Sequence, residues 1–392
     1  MTLSICPTTG NFTWRSYFGL LVGILLLQAC ATAPQMPPGI GEPMAWQQVP
    51  GWEQDNHQQA WPALLNNCIA LQDTPPWQAI CAAAAEITGV DNTTVRLFFE
   101  AWFVPHKLHG RAGTTTGLIT GYYEPLLHGS LSPTAEFRYP LYSPPPSLLR
   151  FAVADVYPQA NDSGWRGRVE GRKILPFYTR AEIEATPALL AGTELIWVNS
   201  RDDVFFLHVQ GSGRVRLNSG ETLGVNYVDN NGQGYVSIGS LLLSRGELPA
   251  DGVSLFSIRQ WLADNPDEAD SLLAENPRYI FFGLRDSIES GPLGSLNVPL
   301  TAQRSIAVDP RVVPLGTPVW LTTTVPGSTS KLLQQLVIAQ DTGAAIEGDI
   351  RADLFWGEGS DAEQMAGIMR ETGSMLVFLP RSQVAGVNGP GW

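Results

Sequence analysis

Basic charge is scarce in this 392-residue chain: 24 Lys and Arg stand against 37 Asp and Glu, for a net charge of −13. A nucleic-acid partner requires a basic face to neutralise phosphates, so that class is excluded. Histidine is scarce too, with five in all. His106 and His109 have a spacing that suits a zinc pair, but no Cys, His or carboxylate partner lies near them in sequence. They read as loop histidines, and neither a metal nor another cofactor is expected. Long apolar runs are absent. The stretch YFGLLVGILLL (17–27) is eleven residues, whereas a bilayer-spanning helix needs about 20. Preceded by a single charge, Arg15, it reads as the core of a signal peptide covering residues 1–29.

That run ends in Leu27-Gln28-Ala29-Cys30, which looks like a bacterial lipobox cleaved before Cys30 with lipid added to its sulfur. Ala31 follows, and a non-Asp residue there favours the outer membrane under lipoprotein sorting rules. The expected location is therefore the periplasm, with lipid chains held at the inner leaflet of the outer membrane. The Pro-rich tract PQMPPGIGEP (34–43) reads as part of a tether over 30–52. Two of the four cysteines remain, Cys68 and Cys81, in helix-like segments separated by Pro75-Pro76. In an oxidising compartment a disulfide and two buried thiols are both open, and either is structural.

The rest falls into parts. Residues 53–103 are helical in pattern, with Asp91 as an N-cap. Residues 114–240 are Gly-rich and β-like (ELIWVNS, VFFLHVQGSGRVRL, ETLGVNYV), with one helix opened by a capping box at Thr179 and Glu182. Residues 237–276 return to helix. From Tyr279 onward short strands dominate (YIFFGL, SLNVPL, RSIAVD, TPVWLT, LLQQLVIAQ, SMLVFLP), with one helix over Ser360–Glu371. Many short strands with Gly and Pro corners predict β-barrels rather than a doubly wound sheet.

The chemistry concentrates in residues 337–367. An apolar run delivers Asp341 into a Gly-punctuated turn, and twelve residues on Asp353 stands among Ala352, Leu354, Phe355 and Trp356. A carboxyl held against apolar neighbours titrates high and stays protonated, as a general acid needs. Aromatic rings beside it suit the apolar face of a sugar. Tyr122 and Tyr123 are candidates for stacking on sugar rings, with core packing as the alternative. Gln210, Gly211 and Ser212 form a turn whose backbone is placed to approach glycan hydroxyls; an unliganded β-turn is the alternative. Ser237 and Trp356 are further candidates. Asp309 reads either as a cleft residue or as a turn cap ahead of Pro310. Glu358, Asp361 and Glu363 read as caps of the helix that follows.

Taken in order, GYYEP (121–125), VQGSG (209–213), YVSIGSLLLSRGE (235–247), NPRYIFF (276–282), VPLTAQRSIAVDPRVVPLGTPVWL (298–321) and AQDTGAAIEGDIRADLFWGEG (339–359) resemble the membrane-bound lytic murein transglycosylase A family. The resemblance runs from about Thr114 to the carboxyl terminus. Its last two stretches are similar to the three-aspartate domain, whose aspartates fall on Asp309, Asp341 and Asp353. It implies a mainly β chain with helices. A double-psi β-barrel catalytic domain packs with N-terminal helices over 53–123 and 236–392, and a smaller β-barrel is inserted over 124–235. It also implies cleavage of the MurNAc–GlcNAc β-1,4 bond of peptidoglycan, leaving 1,6-anhydro-muramyl ends, and leaves room for murein synthase or scaffold partners. Because the sugar's own C6 hydroxyl attacks C1, one carboxyl suffices where ordinary hydrolysis uses two. Asp353 is the expected acid and then base, with Asp341 as support and runner-up. Related barrels carry a His-Phe-Asp turn where this chain reads Arg351-Ala352-Asp353.

Two rival readings come from other classes. The Asp341-Thr342-Gly343 loop also looks like that of aspartic proteases, which pair two such loops; this chain has one. A non-catalytic murein-binding lipoprotein is the other, and retention of both Asp341 and Asp353 argues against it.

Overall fold

A computed structural model describes residues 39–152, 165–285 and 291–383. The expected signal peptide, Cys30 and the start of the tether lie outside these residues. Among the described residues no helix is long and apolar enough to cross a membrane.

The described residues open with β1 (Gly39–Pro43), followed by three α-helices: α1 (Trp61–Leu71), α2 (Trp77–Ala85) and α3 (Asn92–Trp102). Asp91 caps α3, its Oδ1 accepting from Thr94 N at 2.7 Å, as its sequence position predicts. Strands β2 (Phe103–His109) and β3 (Gly117–Glu124) follow. His106 and His109 thus stand on a strand rather than a loop, and His106 is buried against Gly41, its Nδ1 lying 2.8 Å from the Gly41 carbonyl oxygen. Cys68 and Cys81 form a disulfide joining α1 to α2.

A second region contains β4 (Leu126–Ser130), β5 (Tyr139–Tyr142), β6 (Leu149–Phe151), β7 (Trp165–Glu170), β8 (Lys173–Pro176), helix α4 (Arg180–Ala185) and β9 (Glu194–Val198). Helix α5 (Arg201–Gln210), β10 (Ser212–Leu217) and β11 (Thr222–Asn230) complete it. Helices α6 (Ile238–Ser244), α7 (Leu255–Asp264) and α8 (Pro266–Ala274) precede β12 (Ile280–Arg285). The remainder is β13 (Ser305–Val308), β14 (Pro318–Thr324), β15 (Leu332–Asp341), β16 (Arg351–Glu358), α9 (Gly359–Ile368) and β17 (Arg370–Pro380).

Six strands close into a barrel in the order β3-β16-β13-β15-β14-β17, with β17 pairing back onto β3. The pairs β3–β16 and β13–β15 are parallel and the others antiparallel. Alternation along each strand sends one set of side chains inward. Ile119, Ile306, Val308, Val319, Leu321, Val337, Ala339, Ala352, Leu354 and Val377 fill the barrel. The outward faces of β14, β15 and β17 carry Trp320, Leu336, Ile338 and Phe378 instead, and these bury against Trp52, Leu64, Ile80 and Phe99 of the helical segment. A bidentate ion pair is sealed beneath that layer: Arg304 donates to both oxygens of Asp55 at 2.8 and 3.0 Å.

The second region forms a six-stranded sheet, β12-β11-β10-β4-β9-β5, and a three-stranded sheet, β6-β7-β8. Strand β12 lies beyond the expected 124–235 insert, yet it pairs along β11 from Gly224↔Arg285 to Asn230↔Ile280. Ile280 and Phe282 complete the sheet's core with Leu127, Val198, Val215 and Val225, which draws residues 280–285 to that unit.

Several local expectations are corrected. The stretch VFFLHVQ is helix α5, not strand. Ser200 Oγ accepts from Asp203 N at 3.2 Å, and Gly211, at a φ of 82°, caps the other end by donating to the Leu207 carbonyl at 2.8 Å. Val204 and Leu207 pack into the six-stranded sheet, while Phe205 and Phe206 pack against α6–α8. A helix buried on several sides shows no apolar stripe to read. SLNVPL is irregular, with only the bridge Leu293↔Pro299. The last helix ends at Ile368, because residues 370–373 pair with β3 to close the barrel. Asp353 stands on a strand, not in a turn.

Candidate active site

Strand β16 is the spine of the site. Ala352, Leu354 and Trp356 face the barrel core, so Asp353 and Phe355 between them face out. Asp353 is in register with Thr120 on β3 and with Ala307 on β13. Thr120 Oγ1 donates to Asp353 Oδ1 at 2.6 Å. Ala307 is also in register with Asp341 on β15. The two aspartates therefore flank one small residue on the outer face, their Cα atoms two strand spacings, or about 10 Å, apart. Both keep part of their surface open to solvent.

Their hydrogen bonding differs sharply. Asp341 accepts from four donors: Thr342 N (2.8 Å), Ser295 N (2.9 Å), Ser295 Oγ (3.0 Å) and Tyr122 Oη (2.9 Å). Burial raises its pKa, and these donors offset only part of that rise, so it stays above the ordinary carboxyl value. Burial also raises the pKa of Asp353; the Arg351 guanidinium and the Thr120 hydroxyl oppose this, while the Asp341 charge adds to it. By hydrogen bonding alone, Asp341 with four donors is better set to hold a negative charge than Asp353 with one. At Asp353 the Arg351 charge is the leading influence that favours ionisation. Arg351, two residues before Asp353 on the same face, spends a donor on the Ala352 carbonyl at 2.6 Å.

The candidate residues divide. Tyr122 is 8% exposed and belongs with Leu300, Ala307, Ile346 and Phe355 in a patch beneath the aspartates, its ring 5.2 Å from that of Phe355. Burial, then Asp341, raise its pKa well above the ordinary range, so it stays a donor. Tyr123 is 3% exposed and donates to Glu363 Oε1 at 2.8 Å. Neither ring offers a sugar an open face. Gln210 Oε1 accepts from Tyr123 N at 3.0 Å, joining α5 to β3, and Ser212 is buried at the head of β10. Ser237 caps α6. Trp356 lies in the barrel core, its Nε1 3.2 Å from Met369 Sδ. Asp309 binds Arg311 through both oxygens and accepts from Gly348 N at 2.9 Å, which lowers its pKa to about 2, the Arg311 contact leading. It ties two loops together. Glu358 is the N-cap residue of α9 but makes no side-chain cap hydrogen bond and pairs with Arg214 instead. Asp361 lies in the first turn as expected, and Glu363 accepts from Tyr123.

Sequence reasoning missed Thr120, Ser295 and Tyr235. Tyr235 lies between β11 and α6; burial raises its pKa, a hydrogen bond with Ser237 lowers it, and the Asp353 charge raises it further. Ser295 sits in the irregular SLNVPL segment, where no periodicity marks it.

Fold and site define a closed-barrel protein with an added β unit and two carboxyls set on one outer face. A family profile described as the MltA specific insert domain matches residues 118–283, and one described as the 3D domain matches residues 304–379. The chain is 31% identical over 297 residues to the membrane-bound lytic murein transglycosylase A of Escherichia coli (strain K12), covering 74% of this chain and 72% of that one. Among solved structures, the lytic transglycosylase LtgG of Burkholderia pseudomallei is 42% identical, with a TM-score of 0.57 over 89% of this chain and 98% of that one. The membrane-bound lytic murein transglycosylase of Agrobacterium tumefaciens is 32% identical, with a TM-score of 0.79 over 88% and 98%. The chain belongs to the membrane-bound lytic murein transglycosylase A family.

Proposed function

We propose that this protein is a peptidoglycan lytic transglycosylase that cuts the MurNAc–GlcNAc β-1,4 bond with Asp353 as its single acid–base group. The observation that carries the assignment is the contrast between the carboxyls: Asp353 has one hydroxyl donor and Asp341 has four. Protonated Asp353 gives its proton to the glycosidic oxygen as the C1–O4 bond breaks. Asp341, ionised, stabilises the positive charge that grows at C1. The muramyl C6 hydroxyl then attacks C1, forming the C1–O6 bond, and its proton passes to Asp353. Water does not enter, and Asp353 ends protonated for the next cycle.

Under the same proposal the unit formed by residues 53–123 and 236–392, apart from strand β12, carries the chemistry. The inserted β unit lines the other side of the glycan's path, with Tyr235 near the acid. The relatives from Escherichia coli and Vibrio cholerae are membrane-bound by name, which supports membrane association, and lipidation of Cys30 would supply the anchor. An aspartic-protease reading finds no support, because Asp341 is held by Ser295, Thr342 and Tyr122 rather than facing a second Asp-Thr-Gly loop.

The test is mass spectrometry of the soluble products released from murein sacculi by the detergent-solubilised full-length chain and its Asp353→Asn variant. The proposal expects 1,6-anhydro-muramyl ends from the former and none from the latter. Reducing ends would make the protein a hydrolase, and undiminished activity in the variant would move the acid role to Asp341.

A further inference from the structure

The N-terminal helices do more than cover the barrel. Strand β15 carries a bulge: Ile306 pairs with Ala339, but Ala307 pairs with Asp341, so Gln340 is an extra residue with no partner on β13. Ala339 points into the barrel core. Without the bulge, strict alternation would send residue 341 inward as well. The extra residue turns Asp341 to the outer face, where Ala307 and Tyr122 lie.

Something must hold a bulged glutamine in place. Gln340 is fully buried and its amide is saturated: Nε2 donates to Asn67 Oδ1 and to the Ala63 carbonyl, both at 2.8 Å, and Oε1 accepts from Ser305 Oγ at 2.6 Å. Asn67, equally buried on α1, uses its Nδ2 on the Gly316 carbonyl at 2.7 Å. No amide in this set can flip without leaving a buried group unpaired. The backbone of Gln340 points the other way. Its carbonyl accepts from Leu296 N at 3.0 Å, fixing the loop whose preceding residue, Ser295, gives two donors to Asp341. The loop approaches so closely that a Cβ on Gly294 would meet the Gln340 carbonyl oxygen at 2.5 Å. The neighbouring Asn66 Nδ2 donates to the Pro299 carbonyl at 2.8 Å, bracing the far end of the same loop.

We propose that Gln340 and Asn67 are positioning residues, through which the disulfide-clamped helical hairpin holds the bulge that aims Asp341 into its cluster of donors. The proposal rests on Asp341 as the companion anion of Asp353. It gives the helical segment a part in the reaction and makes residues without substrate contact determine the state of the site.

Gln340→Met and Asn67→Leu, singly and together, test it in the full-length chain. Removing the brace loosens the Ser295 donors. Asp341 then binds its proton more tightly, and the acidic limb of the pH–rate profile moves to higher pH. The expected result is a fall in kcat of roughly tenfold, with KM within about twofold. The double variant should be no worse than the poorer single one, since both break one connection. A 13C NMR titration of the Asp341 carboxyl reads the same effect without turnover, with its midpoint raised in each variant. An unchanged midpoint, or activity that falls only with the folded fraction, overturns the proposal. A wild-type protein yielding no anhydro-muramyl product would refute the transglycosylase reading, while the carboxyl titration would still decide the positioning role.

Discussion

Thr120→Val is the sharpest probe of which carboxyl carries the proton. The two side chains have the same shape and both favour strands, so β3 keeps its pairing with β16. What is lost is the 2.6 Å hydrogen bond to Asp353 Oδ1. A hydrogen bond to a charged group contributes about 1.5–3 kcal/mol, and the protonated acid retains part of it through its carbonyl oxygen. The difference between the two forms is therefore on the order of 1–1.5 kcal/mol, which at 1.36 kcal/mol per pH unit corresponds to about one unit. The loss falls on the ionised form, so Asp353 keeps its proton to higher pH. The alkaline limb of kcat/KM for anhydro-muropeptide release should move up by about that amount. The acidic limb should stay, because none of the Asp341 donors is touched. Thermal unfolding of the variant verifies that the barrel is intact. An alkaline limb that stays or moves down in a folded variant would refute Asp353 as the acid.

Tyr122→Phe removes one of the four donors to Asp341, so the opposite limb responds: the acidic limb moves to higher pH while the alkaline limb holds, measured in the same assay. Asp353→Asn should stabilise the fold near neutrality. The folded chain holds this carboxyl above its ordinary pKa, so wild-type stability falls as pH rises from the ordinary carboxyl range through the folded pKa. Denaturant unfolding should show the variant ahead at pH 7 and the gap closed at acid pH. His57, fully buried against Trp52, is lowered to about 4, chiefly by burial. The unfolded chain then binds the extra proton between about 4 and 6.5, and stability rises by about 3 kcal/mol across that window, a rise absent in His57→Phe. Replacing Cys68 and Cys81 with Ala opens a loop of sequence separation 13 and should cost about 3 kcal/mol, read by the same unfolding measurement.

The legible parts of this chain were those written in neighbouring residues. The Asp91 and Thr179 caps, most of the C-terminal strands and the apolar flanks of Asp353 each depend on side chains a few positions apart. Helix α5 was not legible, because burial against both the sheet and α6–α8 erased its stripe. Nor were the partners of the aspartates. Thr120 and Asp353 are 233 residues apart, and Tyr122 and Asp341 are 219 apart. Nothing local states which strands of a barrel become neighbours. The tyrosines of GYYEP show the same limit. Their type suggested sugar stacking, but the parallel pairing of β3 with β16 buries both, leaving Tyr122 to act through its hydroxyl alone.

That pairing also explains how one short strand serves stability and chemistry at once. Alternation gives β16 an inner set, Ala352, Leu354 and Trp356, and an outer set, Arg351, Asp353 and Phe355. The inner set fixes the barrel; the outer set faces Tyr122 and the partly open side of the two aspartates. β15 needs a different solution, because its inward phase at Ala339 would carry Asp341 into the core two residues later. The bulge at Gln340 resets that phase for one residue only, and the cost of an unpaired, fully buried amide is met by Asn67, Ala63 and Ser305. One aspartate is thus aimed by the regular pleat and the other by a defect in it. The second is the one whose setting depends on a separate layer of helices.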